Sequence, residues 1–127
     1  MQIILTSVMV NDQSKALSFY TEVLGFVKKR DIPMGEYKWL TVVSPGHEDG
    51  VELLLEPMGF APAKTFQKEL FNAGIPATVF GVEDIQKEYV RLVALGVAFK
   101  TKPMQAGPVW IAVFEDTCGN LIQMVQK

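Results

Sequence analysis

Val10-Asn11-Asp12-Gln13-Ser14-Lys15-Ala16-Leu17-Ser18-Phe19-Tyr20-Thr21-Glu22-Val23-Leu24-Gly25-Phe26 is the stretch on which the fold turns. Asn11 and Asp12 offer short side-chain acceptors to the free amides of a helix start. Ala16, Leu17, Phe19, Tyr20, Val23 and Leu24 then recur at three- and four-residue spacing, the period of one apolar helix face. Gly25 stands where a helix closes in a left-handed turn. Working outward, residues 2–10 read as a strand before this helix. Three strands follow it, near 26–33, 37–44 and 50–56, separated by Pro33-Met34-Gly35 and by the loop 44–50. The local order is strand, helix, strand, strand, strand.

The same order returns. Residues 75–82 read as a strand, Glu83-Asp84 open a helix carrying Ile85, Tyr89, Leu92 and Leu95 up to Gly96, and strands fit 97–103, 109–115 and 120–126. Between the two runs, Pro57, Gly59 and Pro62 precede a short amphipathic helix with Phe66, Leu70 and Phe71 that ends at Gly74, which reads as a linker. The repetition extends to residues. A shift of 71 places Gly25 on Gly96, Trp39 on Trp110 and Val42 on Val113, without a gap across the 31 residues 25–55 and 96–126. A shift of 72 places Thr6 on Thr78, Val10 on Val82, Asp12 on Asp84 and Lys15 on Lys87. An α+β fold is expected: two βαβββ modules, about 1–57 and about 75–127 with a linker about 58–74, forming one domain whose paired, strongly curved mixed sheets surround a cleft.

A chain of 127 residues suits one core better than two. Its 12 basic and 14 acidic residues are spread without the basic stripe that phosphate neutralisation needs, so no nucleic-acid partner is expected. No apolar run reaches the roughly 20 residues that cross a bilayer, and Met1-Gln2-Ile3-Ile4-Leu5 lacks the parts of a signal peptide. A soluble, cytoplasmic protein without a membrane partner is the expectation. The single cysteine, Cys118, excludes an intrachain disulfide and reads as a small turn residue within 116–120. The single histidine, His47, reads as a solvated residue of the loop 45–50.

Alternation along the strand 50–56 puts Glu52, Leu54 and Glu56 on one face and Val51, Leu53 and Leu55 on the other. The aliphatic set suits the helices, so Glu52 is expected to point into the concavity and, through the repeat, Gln123 and Val125 with it. A carboxylate there would have its proton affinity raised by desolvation, which makes Glu52 the candidate general base. Glu56 would join it in attracting a cation. Trp39 and Trp110, mates under the shift of 71, would offer flat surfaces to a ligand. The hairpin carrying Arg30, Glu36 and Tyr37 reads as an ordinary exposed turn in preference to a lip over the cleft.

The duplicated unit, the stretch from Val10 to Phe26 and Asp116-Thr117-Cys118-Gly119-Asn120 together resemble the vicinal oxygen chelate superfamily, which includes glyoxalase I, the extradiol dioxygenases and the bleomycin-binding resistance proteins. The resemblance implies four metal-ligating positions, on the first and last strand of each module. Here they carry Leu5, Glu52, Ala77 and Gln123, and neither Leu5 nor Ala77 has a lone pair to offer. The resulting expectation is a small-molecule binding protein without the usual divalent metal or any other cofactor. Its ligand would meet Leu5, Trp39, Glu52, Leu54, Glu56, Ala77, Trp110 and Gln123. The alternative is a metal-dependent lyase, isomerase or dioxygenase of the same superfamily with a remodelled site. The resemblance further implies a homodimer.

Overall fold

Two aspartates start the two helices that the repeat predicts. In a computed structural model that describes residues 1–127, Asp12 accepts a hydrogen bond from the Lys15 amide at 3.0 Å and Asp84 accepts one from the Lys87 amide at 3.0 Å. Each such cap contributes about 1 kcal/mol by satisfying an amide that has no partner within the helix. Both helices end as the sequence suggests, on glycines in the left-handed region, Gly25 at φ 88° and Gly96 at φ 86°. A side chain at either position would meet the steric penalty that glycine avoids.

In chain order the elements are β1 (Leu5–Val10), α1 (Gln13–Ser18), a π-helical turn (Phe19–Val23), β2 (Val27–Met34), β3 (Tyr37–Val43), β4 (Glu52–Pro57), α2 (Ala61–Asn72), β5 (Thr78–Gly81), α3 (Ile85–Ala94), β6 (Phe99–Ala106), β7 (Val109–Glu115) and β8 (Leu121–Gln126). The strands form two four-stranded sheets, ordered β1-β4-β3-β2 and β5-β8-β7-β6. In each, the first strand pairs with the last in parallel and the other pairings are antiparallel, so the expected α+β fold of mixed sheets is the one observed. The chain divides into two units, residues 1–65 and 66–127.

In the first unit α1 lies against β3 and β4. Val8 and Val10 of β1, Leu40 and Val42 of β3, and Leu53 and Leu55 of β4 are buried with Ala16, Phe19 and Tyr20 of the helical segment. Each large side chain buried there contributes about 1.5–3 kcal/mol relative to exposure. In the second unit α3 lies against β6, β7 and β8. Ile85 and Leu92 are buried with Ala112, Phe114, Ile122 and Met124, and Tyr89 meets the Phe99 ring edge-on at 4.7 Å between centroids. One face of each sheet is thus assigned to a helix, and the alternate residues of each strand lie on the face opposite.

Strand register corrects the repeat. Val42 pairs with Leu53, so a uniform shift of 71 requires Val113 to pair with Met124; it pairs with Gln123 instead. The shift of 71 does hold from β2 to β6, where an irregularity between Lys28 and Arg30 returns between Phe99 and Thr101. A second irregularity, between Thr101 and Met104, gives β6 an extra residue, so β3 matches β7 at a shift of 72. The connection after β3, residues 44–51, is then replaced by the shorter 116–120. As a result β4 matches β8 at a shift of 69: Ser7 pairs with Leu54, and Val79, its equivalent, pairs with Gln123. The slip of one residue in β7 changes which face each side chain takes, whereas the slip of two in β8 preserves it.

The short connection is held from within. Asp116 is fully buried, and its Oδ1 accepts the amides of Cys118 at 2.8 Å and Asn120 at 2.9 Å while Oδ2 accepts the Asn120 side-chain amide at 2.8 Å. Gln67, the one buried residue of α2, donates to the Cys118 carbonyl at 3.1 Å and to Asn120 Oδ1 at 3.2 Å. Cys118 is buried in this turn, in line with its reading as a small turn residue.

Candidate functional site

The face of the first sheet away from α1 is set by alternation and register. β1 contributes Leu5, Ser7 and Met9, and β4 contributes Glu52, Leu54 and Glu56 beside them. β3 contributes Trp39 and Thr41, and β2 contributes Arg30 and Ile32 opposite these two. Arg30 reaches this position through an irregularity. Lys28 pairs with Val42 and Arg30 with Thr41, so Lys29 is the extra residue of a bulge, and without it Lys29 would face Thr41. The bulge aims the guanidinium at β4 and sends Lys29 toward the loop after β3, where Nζ donates to the Glu48 carbonyl at 2.8 Å and stands 3.7 Å from the Asp49 carboxylate.

At the centre of the face Glu52 Oε1 accepts two hydrogen bonds, from Thr41 Oγ1 at 2.7 Å and from Arg30 Nε at 3.0 Å. The Thr41 hydroxyl is fully buried and the Glu52 side chain is 18% exposed. The expected raised proton affinity of Glu52 is reversed. Hydrogen bonding from Thr41 lowers the pKa below its ordinary 4.5, helped by Arg30 and, through charge alone, by Lys29; desolvation opposes them and is outweighed. Glu52 is therefore a fixed anion with its charge already answered, rather than a carboxylate poised to take up a proton near neutrality.

Apolar surface surrounds this cluster. Leu5, Ile32 and Met34 stand 37%, 48% and 57% exposed, Leu54 is buried between the strands, and Trp39 is half-buried. Among the expected ligand-contacting residues, the structure thus brings Leu5, Trp39, Glu52, Leu54 and Glu56 to one face. Trp110 is a correction. It shares its face of β7 with Ala112 and Phe114, which are buried on the α3 side, and itself stands 42% exposed near the start of the strand, because β7 is displaced by one residue from the shift that made it the mate of Trp39. The residue equivalent to Trp39 is Ile111.

Gln123 lies on the face of the second sheet away from α3, between Val79 and Val113. Its equivalent in the first unit is Leu54, and the equivalent of Glu52 is Leu121, which is buried. Ala77 is exposed ahead of β5, and its amide donates to the Leu121 carbonyl at 2.8 Å. The second-unit counterparts of Leu5 and Glu52 are therefore Ala77 and Leu121, and neither side chain can ligate a metal. No three His, Cys, Asp or Glu side chains come together anywhere in the chain. Of the four positions that the resemblance implies as metal-ligating, Glu52 and Gln123 carry a donor atom and Leu5 and Ala77 do not. His47 is exposed in its loop, with Nδ1 3.2 Å from the Pro45 carbonyl, and touches none of these residues.

The duplicated βαβββ topology, two four-stranded mixed sheets each with a helix on one face, defines the class. Residues 2–124 match the family described as the Glyoxalase/Bleomycin resistance protein/Dioxygenase superfamily, and the chain belongs to that family. It is 61% identical, over the full length of both chains, to the uncharacterized protein YurT of Bacillus subtilis strain 168. It is 33% identical to a probable lactoylglutathione lyase of Synechocystis sp. PCC 6803, covering 95% of this chain and 92% of that one. Among solved structures it is similar to TnmS3, an antibiotic binding protein from Streptomyces sp. CB03234, at 28% identity and a TM-score of 0.76, covering 99% of this chain and 95% of that one.

Two residues of the cluster were not among the expected ligand-contacting residues. Thr41 had a signal, since it alternates with Trp39 on the strand that pairs with β4. Arg30 had none, because its place depends on a bulge that alternation cannot show.

Proposed function

We propose that this protein binds a small organic molecule against the open face of its first sheet, and does so without a bound divalent metal. The observation that carries this reading is the exposed apolar surface of Leu5, Ile32 and Met34 around a central Glu52 whose hydrogen bonds are already made by the protein. Exposed aliphatic groups gathered on one sheet face favour burial against an apolar partner. The likeness to an antibiotic binding protein supports the same reading. The lyase reading draws on the likeness to the probable lactoylglutathione lyase, but Leu5, Ala77 and Leu121 leave Glu52 without companion ligands.

Metal analysis of the purified protein, beside thermal-shift screening with divalent ions and a library of small aromatic molecules, tests the proposal. The expected result is substoichiometric metal and stabilisation by organic ligands alone. One tightly held transition-metal ion per chain, lost in Glu52→Gln, would support the lyase instead. A homodimer in the cytoplasm completes the proposal, and sedimentation giving a monomer at high micromolar concentration would remove the first part of it. No helix is long and apolar enough to cross a membrane.

A further inference from the structure

The ligand face carries more information than its apolar character. Arg30 spends only Nε on Glu52, and neither of its Nη atoms hydrogen-bonds to the protein. Its side chain is 50% exposed and lies on the same face as Ile32 and Trp39. The guanidinium is therefore held at one edge by a half-buried carboxylate that is itself fixed by Thr41, and it presents its other donors over apolar surface. A guanidinium so held loses little further freedom when it binds an oxygen acceptor, and the apolar surroundings strengthen that contact.

Building on the proposed binding face, we infer that its ligand is a flat apolar molecule bearing an anionic or carbonyl oxygen, which Arg30 takes, and that Arg30 is the residue that sets this preference. The geometry of the cluster supports an acceptor. Glu52 Oε1 is already taken by Thr41 Oγ1 and Arg30 Nε, and the charge of Lys29 is met by Asp49 at 3.7 Å, so the Nη donors of Arg30 are what the cluster still offers. The expectation of a cation drawn by Glu52 and Glu56 is replaced: Glu52 is occupied, and only Glu56, four residues further along β4, competes for one. Trp39, opposite Ile32 on the neighbouring strand, gives the flat body a surface within the same patch.

Three probes with one naphthalene body separate the possibilities: 2-naphthoate, 2-naphthamide and 2-naphthylmethylammonium, titrated against the full-length protein by calorimetry. The inference predicts that naphthoate binds at least about 10-fold more tightly than the ammonium probe, with the amide between them, a ratio near 1.4 kcal/mol. Arg30→Gln is expected to abolish the preference for naphthoate by weakening its binding, while the ammonium probe binds no more weakly than before because the variant releases the Glu52 carboxylate, and Arg30→Lys to restore the preference only in part, since a point charge lacks the planar fork. Binding of all three with equal affinity, preference for the ammonium probe, or an undiminished naphthoate preference in Arg30→Gln would overturn the inference while the binding face stands. If none of the three binds and circular dichroism shows the protein folded, the binding face fails and the inference with it.

Discussion

The two sheets have one topology and opposite centres. Where the first carries Arg30, Thr41 and Glu52, the second carries Thr101, Val113 and Leu121 at the equivalent register positions. The first trio is a charged cluster closed by a buried hydroxyl, whereas in the second the Thr101 hydroxyl only accepts the Val113 amide, at 3.0 Å. The connections after the third strands differ in the opposite sense. Residues 44–51 are charged and mostly exposed, while 116–120 fold around the buried Asp116. The duplication has kept the pairing pattern and exchanged the contents, placing polar structure on the open face in one unit and inside the turn in the other.

The largest effect is expected where that turn is broken. Asp116→Ala leaves three donors without their acceptor in a buried place, and urea denaturation should show a loss of about 3 kcal/mol or more. A loss under about 1 kcal/mol would mean that the turn is not held from within. Gly119→Ala comes next. Glycine sits there at φ 97°, and an added Cβ would lie 2.5 Å from Gln67 Oε1, so a loss of about 1–3 kcal/mol is expected from backbone strain and displacement of Gln67. Adding Gln67→Ala relieves the clash and should recover part of it.

On the open face, Glu52→Leu strands the buried Thr41 hydroxyl without its acceptor and is expected to cost about 1–3 kcal/mol. Thr41→Val added to it removes the stranded group and should restore most of that loss, a coupling that a double-mutant cycle reads directly. The smallest effect is in the pH dependence. Because the folded state lowers the Glu52 pKa, its contribution is complete above the ordinary 4.5 and fades as pH falls through the lower folded value. Melting temperatures taken between about pH 6 and about pH 3 should fall more steeply in the wild type than in the Glu52→Leu/Thr41→Val double variant.

How much was legible divides along physical lines. The helices were, because Asp12, Asp84, Gly25 and Gly96 mark their ends and apolar spacing fills the middles. The facing of Glu52, Leu54 and Glu56 was legible too, since strand alternation has a period of two. Register across strands was not. The match of Trp39 to Trp110 rested on a uniform shift, and one extra residue in β6 with a shorter connection before β8 moved the true equivalents to Ile111 and Leu121. Bulges and loop lengths leave little trace in residue type, and they decide which side chains share a face. The expected rise in the proton affinity of Glu52 failed for a related reason: its partners Thr41 and Arg30 come from other strands.

The central claim, that the first sheet's open face binds through a cluster the second sheet lacks, meets its most direct test in one chimera. Arg30→Thr/Thr41→Val/Glu52→Leu gives the first sheet the residues of the second at those positions. Calorimetric titration of this folded variant with 2-naphthoate should show affinity at least about 10-fold weaker than that of the wild type. Undiminished affinity would place binding elsewhere and contradict the account.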